Sequence, residues 1–229
     1  MWNLNNFSRL IAFTLPIIGI YYYNKNKKYS KKNLEKYFEN KNIIITGSSQ
    51  GIGKHLSETL QKYNCRQFLL ARSFTDEKIG NIAKYKCDCS SFNSVNLVMD
   101  EIFSSYGHPD ILINCAGTGD WKYITEMSTE EVRSCIDAPL MSSIWTSRKV
   151  LINRDDEKNT QILFIQSPSV IQPWKSTTAY SASRWGLQGL ILSLRADYYN
   201  NSNIKIKDII FGKVDSRYFI NNPTANQRM

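Results

Sequence analysis

NIIITGSSQGIG, at residues 42–53, joins a run of aliphatic residues directly to a glycine-rich turn. The run at 42–45 has the length and β-branched composition of a fully buried strand. The apolar periodicity at 54–63 is typical of a helix. This order places a helix N-terminus, with its free N–H groups, where a diphosphate can bind. The sequence therefore predicts a dinucleotide-binding strand–turn–helix unit.

The glycines of this turn are spaced GxxxGxG. Gly47 allows a tight exit from the strand, Gly51 allows close backbone approach to phosphate, and Gly53 allows the helix to pack near the sheet. Ser49 and Ile52 lie between these glycines and are candidate cofactor contacts. A glycine-rich turn that binds nothing is the alternative interpretation.

Strands and helices alternate along the rest of the chain. Further strands are predicted at 67–71, 83–87, 111–113, 161–165 and 204–210. Helices are predicted at about 91–106, at 128–151 with a break at Pro139, and around Tyr180. This order requires a single α/β domain with a doubly wound parallel sheet of the Rossmann type, and ligands bind at the carboxyl ends of its strands. The segment between Arg72 and Ala83 is too short for a full crossover helix.

The end of the second predicted strand bears on the choice of cofactor. Arg72 stands there, and Asp76 and Glu77 lie too far into the following loop to be natural ribose ligands. A carboxylate at this position would accept hydrogen bonds from the adenosine ribose, whereas arginine accommodates a 2′-phosphate. The sequence therefore favours NADP(H) over NAD(H).

A tyrosine and a cation stand four residues apart at the start of an apolar helical pattern. Tyr180 and Arg184 therefore share a helix face. A phenol titrates near pH ~10 in water, and a fixed guanidinium one turn away favours its anion. Ser167 follows the strand at 161–165 and could present a hydroxyl at the same edge. Taken alone, the tyrosine–arginine spacing is more typical of a solvated helix pair than of a catalytic site.

Several motifs occur together in one order: TGSSQGIG at 46–53, Asp88 at a strand end, NCAG at 114–117, Ser167, and YSASR at 180–184. In this combination the chain resembles the short-chain dehydrogenase/reductase family over residues 41–220. The resemblance implies that Tyr180 is the general acid or base for a carbonyl or alcohol oxygen and that Ser167 polarises that oxygen.

The resemblance also implies a set of cofactor contacts. Asn114 and Gly117 would line the adenosine side, and Asp88 would approach the adenine. Val214 and Ser216, in the sequence GKVDS, would lie near the nicotinamide carboxamide. Arg184 would reach the ribose hydroxyls in place of the family's lysine.

Three departures from the family pattern matter. Arg184 replaces a lysine, which keeps the charge but does not release a proton. Pro139 stands where the family has an asparagine at a helix kink. About seventeen residues follow Gly212, which indicates an open substrate site.

Two functions remain. The first is an oxidoreductase acting on a lipophilic ketone or secondary alcohol of the steroid, retinoid or keto-lipid class. The second is a nucleotide-binding pseudoenzyme acting as a membrane adaptor or redox sensor.

Charge is concentrated at the N-terminus. The formal charge is +9, and residues 1–41 hold one arginine and seven lysines against two glutamates. An uncharged stretch at 10–23 precedes all seven of these lysines. We therefore expect a membrane anchor or membrane-associated segment at 1–24, a basic linker at 25–40 and the oxidoreductase domain at 41–229. A surface-lying or hairpin segment, and a cleaved or disordered leader, are the alternatives.

The lysines after the apolar stretch place the domain on the cytosolic side, with the endoplasmic reticulum as the expected membrane. A nucleic-acid partner is not expected, because the basic charge adjoins an apolar segment and lacks stacking aromatics. The five cysteines and two histidines lack zinc-site spacing, so no metal is expected. A homodimer is compatible with the sequence.

Overall fold

The computed structural model describes residues 31–212 and residue 214. The chain divides into two units, residues 1–39 and 40–229. In the first unit the described element is helix α1, Lys31–Phe38, where Leu34 and Phe38 lie one turn apart and are partly buried. Within the described ranges no helix combines the length and apolarity needed to cross a membrane. The predicted anchor at 1–24 lies outside these ranges.

The second unit is built on one seven-stranded sheet with the order β3-β4-β2-β1-β5-β6-β7. All neighbouring strands are parallel except the β3–β4 pair. The strands are β1 Asn42–Thr46, β2 Arg66–Ala71, β3 Glu77–Ile79, β4 Ile82–Lys86, β5 Ile111–Asn114, β6 Thr160–Gln166 and β7 Ile204–Ile210. The doubly wound parallel sheet predicted from the sequence is confirmed.

Helices connect these strands. They are α2 Gly51–Leu60, α3 Phe92–Tyr106, α4 Thr129–Ile136, α5 Ser142–Ile152 and α6 Thr178–Asp197. The strand order reverses between β1 and β5, so their carboxyl ends flank the topological switch point where this architecture binds ligands. The two segments after these strands, the glycine turn and NCAG, therefore lie next to each other.

The main core covers one face of the sheet. Side chains from α3, α5 and α6 pack on alternate residues of the strands, including Ile44, Leu112 and Phe164, each fully buried. Because side chains alternate along a strand, Ile43 and Ile45 face the opposite side, where α2 packs on β1. Burial on both faces explains why the central strands are continuous aliphatic runs in the sequence.

The crossover from β2 to β4 contains no helix, as its length predicts. The sequence reading missed the strand that replaces it, β3, which pairs antiparallel with β4 at the sheet edge. Gly80 takes a φ of 58° in the two-residue turn between them, a conformation that glycine adopts without steric cost. The three residues of β3 are all exposed, so they carry no apolar alternation that would have revealed it.

The helical segment predicted at 128–151 is continuous rather than broken. Between α4 and α5 the backbone widens into a π-helical turn, Asp137–Met141, with Pro139 inside it. Proline lacks the N–H that an α-helix requires at this point, and a wider turn accommodates that loss. Pro139 is thus accommodated in a π-helical turn, and the helical segment continues past it.

Candidate active site

The glycine turn folds tightly against its surroundings. A Cβ at Gly47 would lie 2.6 Å from Cα of Ala116, and a Cβ at Gly53 would lie 2.6 Å from the carbonyl oxygen of Gly47. A Cβ at Gly51 would meet nothing within 4 Å among the described residues. Gly47 and Gly51 have positive φ angles of 64° and 57°. Two of the glycines therefore serve packing, and the third faces open space.

Open space lies at the N-terminus of α2. The N-cap residue Gln50 makes no capping hydrogen bond through its side chain, so the first-turn N–H groups of α2 lack the partner that a capping side chain would supply. Ser49 and Ile52, both partly buried, flank Gly51 in this turn. N–H groups that the Gln50 side chain leaves uncapped, beside a glycine whose Cβ position is open, form a cradle that suits an anionic diphosphate.

Thr46 joins the two segments at the switch point, which sequence reasoning missed. Its buried hydroxyl accepts hydrogen bonds from the N–H groups of Cys115 and Ala116, each at 3.0 Å. The glycine turn also binds β2, because the Gly47 N–H donates to the Leu70 carbonyl at 2.9 Å. A threonine directly after a buried strand and before a glycine was the available signal.

The side chain of Asn114 faces α5. Its amide donates to the Ser147 hydroxyl at 3.1 Å and accepts from the Thr146 hydroxyl at 2.7 Å. Only 2% of Asn114 is exposed. The side chain therefore fastens β5 to α5, and the adenosine contact predicted for Asn114 stays a prediction.

Two residues predicted at the adenosine end, Arg72 and Asp88, come after β2 and β4. Arg72 follows β2 and is exposed. The Asp76 carboxylate accepts from the Lys86 N–H at 2.5 Å, which occupies it at the sheet edge. Asp88 is partly buried, and one of its carboxylate oxygens accepts from the hydroxyl of Ser90 at 2.7 Å. Its second oxygen has the capacity to accept from a ligand.

Tyr180 lies in the first turn of α6 and is 7% exposed. Its ring packs against backbone, because a Cβ at Gly119 would lie 2.2 Å from Cδ2 of Tyr180. The Arg184 guanidinium carbon lies 5.1 Å from the centroid of the same ring. The two side chains predicted to share a helix face are therefore in contact through the face of the ring.

Arg184 bridges α6 and the end of β6. Its Nη1 donates to the Ile165 carbonyl at 3.1 Å, and its Nη2 lies 2.9 Å from where a Cβ of Gly117 would stand. Its Nε is buried and finds no acceptor within the described part of the chain. Gln166 adds a second link, donating to the Arg184 carbonyl at 3.1 Å. Arg184 therefore lies beside Gly117.

Pro139 lies beside this group. Its Cβ is 3.7 Å from the position that a Cβ of Gly117 would take, which puts the π-helical turn next to the cleft. The Ser143 hydroxyl donates to the Pro139 carbonyl at 2.7 Å. The carbonyl at the kink is therefore already hydrogen-bonded within the helix.

Ser167 follows β6 and is 8% exposed. Its hydroxyl oxygen accepts from the Ser169 N–H at 3.3 Å, which leaves its proton available for donation. The short 3-10 turn after it, Pro168–Val170, packs against α6. Ser167 thus stands at the carboxyl edge of the sheet on the side where α6 begins.

Two further segments of the site are aromatic. The rings of Trp121 and Trp174 stack with centroids 5.7 Å apart and an interplanar angle of 18°. Fifty-three residues separate them in the sequence, which does not show that they touch. Val214 is partly buried, and Ser216 lies outside the described residues.

Burial raises the pKa of two groups near the site. Burial raises the pKa of the Cys115 thiol to about 12, against the opposing charge of Arg184, so this cysteine is neutral and not a nucleophile at pH ~7. Burial also raises the pKa of Asp120, with Glu131 adding to the shift and Lys122 opposing it. Across the described ranges, no three His, Cys, Asp or Glu side chains assemble as metal ligands.

These residues fit a nicotinamide dinucleotide. The cradle at Gly51 would hold the diphosphate, Asp88 the adenine, and the Arg184 guanidinium the ribose hydroxyls beside the nicotinamide. The fit rests on the open space at Gly51 and on the buried Arg184 Nε, which has no acceptor among the described residues.

The chain is similar to known proteins in sequence and in fold. The chain is 30% identical over 159 residues to the 3-oxoacyl-[acyl-carrier-protein] reductase of Buchnera aphidicola, covering 66% of this chain and 64% of that protein. It thus spans less than two thirds of the length of this relative. Among solved structures, the ligand-free aldohexose dehydrogenase of Thermoplasma acidophilum is 25% identical with a TM-score of 0.72, covering 80% of this chain and 70% of that one.

Two more distant structures of the same fold are complexes. 4-Hydroxyisoleucine dehydrogenase with NADH matches at 23% identity and a TM-score of 0.71, covering 80% of this chain and 79% of that one. Serine dehydrogenase with NADP+ matches at 18% identity and a TM-score of 0.73, covering 81% of this chain and 77% of that one. The family model of short chain dehydrogenases matches residues 41–227. This chain belongs to the short-chain dehydrogenase family.

Proposed function

We propose that the chain is an NADP(H)-dependent oxidoreductase that interconverts a lipophilic ketone and its secondary alcohol. The observation that carries the proposal is the contact between Tyr180 and Arg184 at the carboxyl edge of the sheet, with the guanidinium 5.1 Å from the ring. This pair lies on the side of the switch point opposite the glycine cradle. A nucleotide spanning the switch point would therefore bring its reactive ring toward Tyr180.

Each residue has a separate task in this reaction. The bound nicotinamide supplies or accepts the hydride. Tyr180 donates its phenol proton to the carbonyl oxygen in reduction and takes it back in oxidation. The Ser167 hydroxyl donates a hydrogen bond to the same oxygen. Arg184 contributes positive charge at the ring face of Tyr180 but keeps its own proton, because guanidinium does not titrate in this range.

The test of this function is Tyr180→Phe in the full-length protein. Removal of the phenol hydroxyl should lower NADPH oxidation with a panel of lipophilic ketones by about 10²-fold or more, since a positioned acid contributes this much. NADPH binding, followed by cofactor fluorescence, should be retained because the ring and its packing on Gly119 remain. Unchanged turnover would remove Tyr180 from the proton-transfer role.

The cofactor preference rests on Arg72, which is exposed after β2, and on Asp76, whose carboxylate is held by Lys86. Substitution Arg72→Asp should weaken NADPH binding more than NADH binding, because the arginine would pair with the 2′-phosphate of NADPH alone. Equal weakening of both cofactors would count against the preference.

The alternative function is a nucleotide-binding pseudoenzyme that acts as a membrane adaptor or redox sensor. It is favoured by the Arg184 bond to the Ile165 carbonyl and by the Ser143 bond to the carbonyl of Pro139, which occupy groups near the cleft. Arg184→Lys separates the two functions. A higher rate in this variant would indicate a working site, whereas no turnover in either protein, with NADPH still bound, would support the pseudoenzyme.

Membrane attachment through residues 1–24, with the domain facing the cytosol at the endoplasmic reticulum, is part of the same proposal. It is supported by the uncharged stretch at 10–23 and the lysines that follow it. Carbonate extraction tests it, because an anchored chain should stay in the membrane pellet. A homodimer is proposed as well, and sedimentation velocity checks it.

A further inference from the structure

Tyr180 is supported by a surface without a side chain. A Cβ at Gly119 would lie 2.2 Å from Cδ2, 3.0 Å from Cε2 and 3.1 Å from Cγ of Tyr180. Gly119 and Tyr180 are both buried. The backbone at residue 119 therefore sets how closely the phenol ring can approach, and through the ring it sets the place of the phenol oxygen.

Gly119 belongs to the loop at 115–124, which we call the first loop. The second loop, at 171–177, leads into α6. The two loops meet at the Trp121–Trp174 stack, and again where the Lys175 ammonium lies 5.7 Å from the ring centroid of Tyr123. Trp121 is only 3% exposed although it lies in a loop. The loops on both sides of Tyr180 are thus joined by aromatic contacts.

The second loop is fixed to the turn that carries Tyr180. The Thr177 hydroxyl accepts from the Trp174 N–H at 3.2 Å and donates to the Trp174 carbonyl at 2.6 Å. The Thr177 carbonyl in turn accepts from the Ser181 N–H at 2.6 Å. Ser176 between them has a φ of 63°, in the left-handed region that residues with a Cβ rarely adopt. Trp174 is therefore connected through Thr177 to the first turn of α6.

The first loop is also held on its other side. The Asp120 N–H donates to Cys135 Sγ at 3.4 Å, and Lys122 forms an ion pair with Glu131. Both partners belong to α4. Contacts on two sides leave the segment that contains Gly119 little freedom to withdraw from the Tyr180 ring.

We propose that the Trp121–Trp174 stack, by joining the two loops, positions Tyr180 for proton transfer. Trp121 lies two residues after Gly119, so the stack holds the Gly119 backbone against the ring. The tryptophans act through Gly119 and are positioning residues. The inference rests on the proposed role of Tyr180 as proton donor.

The test compares Trp174→Ala with Trp174→Phe, which keeps an aromatic ring. Trp185→Ala is the matched control, since Trp185 lies on α6, the helix that carries Tyr180, and is 52% exposed. A fluorinated tyrosine is incorporated at position 180 of the full-length protein, and its fluorine NMR signal is recorded with and without NADPH. Turnover of benzil with NADPH is measured in parallel.

In Trp174→Ala the fluorine signal should shift and broaden, and kcat should fall about tenfold, because small misplacements of a reacting group are costly. KM and NADPH affinity should stay within about twofold, as expected when ground-state binding is unaffected. Trp174→Phe should preserve most of the signal position and of kcat. Trp185→Ala should change neither.

A fluorine signal in Trp174→Ala that coincides with that of the unsubstituted chain would overturn the positioning role proposed for the stack. So would an equal shift in Trp185→Ala. If the unsubstituted chain turns over no ketone, the proposed function fails, but the fluorine signal still decides whether the stack positions Tyr180. Gly119→Ala should move the same signal. Gly189→Ala is its control and should not, because a Cβ at Gly189 would meet nothing within 4 Å among the described residues.

Discussion

The two sides of the switch point hold their residues by different means. On the β1 side, backbone packs on backbone: Gly47 lies against Ala116, and Gly53 lies against the Gly47 carbonyl. On the α6 side, side chains bind backbone groups, as Arg184 does at Ile165. The first arrangement excludes any side chain at Gly47 and Gly53, whereas the Ile165 carbonyl requires only a hydrogen-bond donor of similar reach.

The largest difference between the two sides is expected from a substitution at Gly47. Gly47→Ala should lower the free energy of unfolding by about 3 kcal/mol or more, because a Cβ would collide with the Ala116 backbone in addition to the strain of a positive φ. Urea denaturation measures the loss. Gly51→Ala is the matched control, since it has a similar φ but open space around its Cβ. It should cost about 1–2 kcal/mol, which is the φ contribution alone.

Cofactor binding then separates these two glycines. Gly51→Ala should weaken NADPH binding more than it weakens the fold, because the added methyl group would enter the space assigned to the diphosphate. Equal losses of stability in the two variants would show that φ alone matters and that the turn does not depend on packing against the β5 loop.

Between β5 and α5 the expected effects are smaller and depend on single hydrogen bonds. Asn114→Ala should lower the free energy of unfolding by about 2 kcal/mol, because it leaves the buried Ser147 hydroxyl without its amide partner. Asn203, whose exposed amide donates to the Asp156 carbonyl at 2.8 Å, provides the comparison. Asn203→Ala should cost less than about 1 kcal/mol. If both variants lost equally little, Asn114 would have no special part in holding β5 to α5.

The smallest effect concerns pH. Because burial raises the pKa of Asp120, the folded state binds a proton at this group more tightly than the unfolded state does. Its contribution to stability is therefore full below the unfolded pKa and declines as pH rises through the folded pKa. Asp120→Asn should be more stable than the unsubstituted chain at neutral pH and lose that advantage in acid. Thermal melts at several pH values test this, and a gap that widens in acid would contradict the assigned direction.

The sequence predicted the parts of this fold that leave a local pattern. The parallel strands β1, β2, β4, β5, β6 and β7 follow from aliphatic runs, and the site motifs follow from their position after those runs. The exposed three-residue strand β3 leaves no such pattern. The widened turn at Pro139 was expected as a break, because proline's lack of an N–H is local but the space to widen depends on neighbouring helices.

The contacts that complete the site depend on residues far apart in the chain. Trp121 and Trp174 are separated by the whole of α4, α5 and β6, so their stacking follows from the topology and not from spacing. The orientation of Asn114 toward α5 is set in the same way, by hydroxyls more than thirty residues away. Local sequence can name such residues as candidates but cannot pair them.

Strand β3 also bears on behaviour in solution. An uncovered β4 would present a row of unpaired N–H and C=O groups that other chains could join. β3 covers that row with a strand of three residues carrying Glu77, which pairs with Lys84 at 2.7 Å, and Lys78, whose ammonium lies 4.8 Å from the Tyr106 ring centroid. Short length and charge are the features that discourage edge-to-edge association. The short crossover therefore protects this margin of the sheet from aggregation.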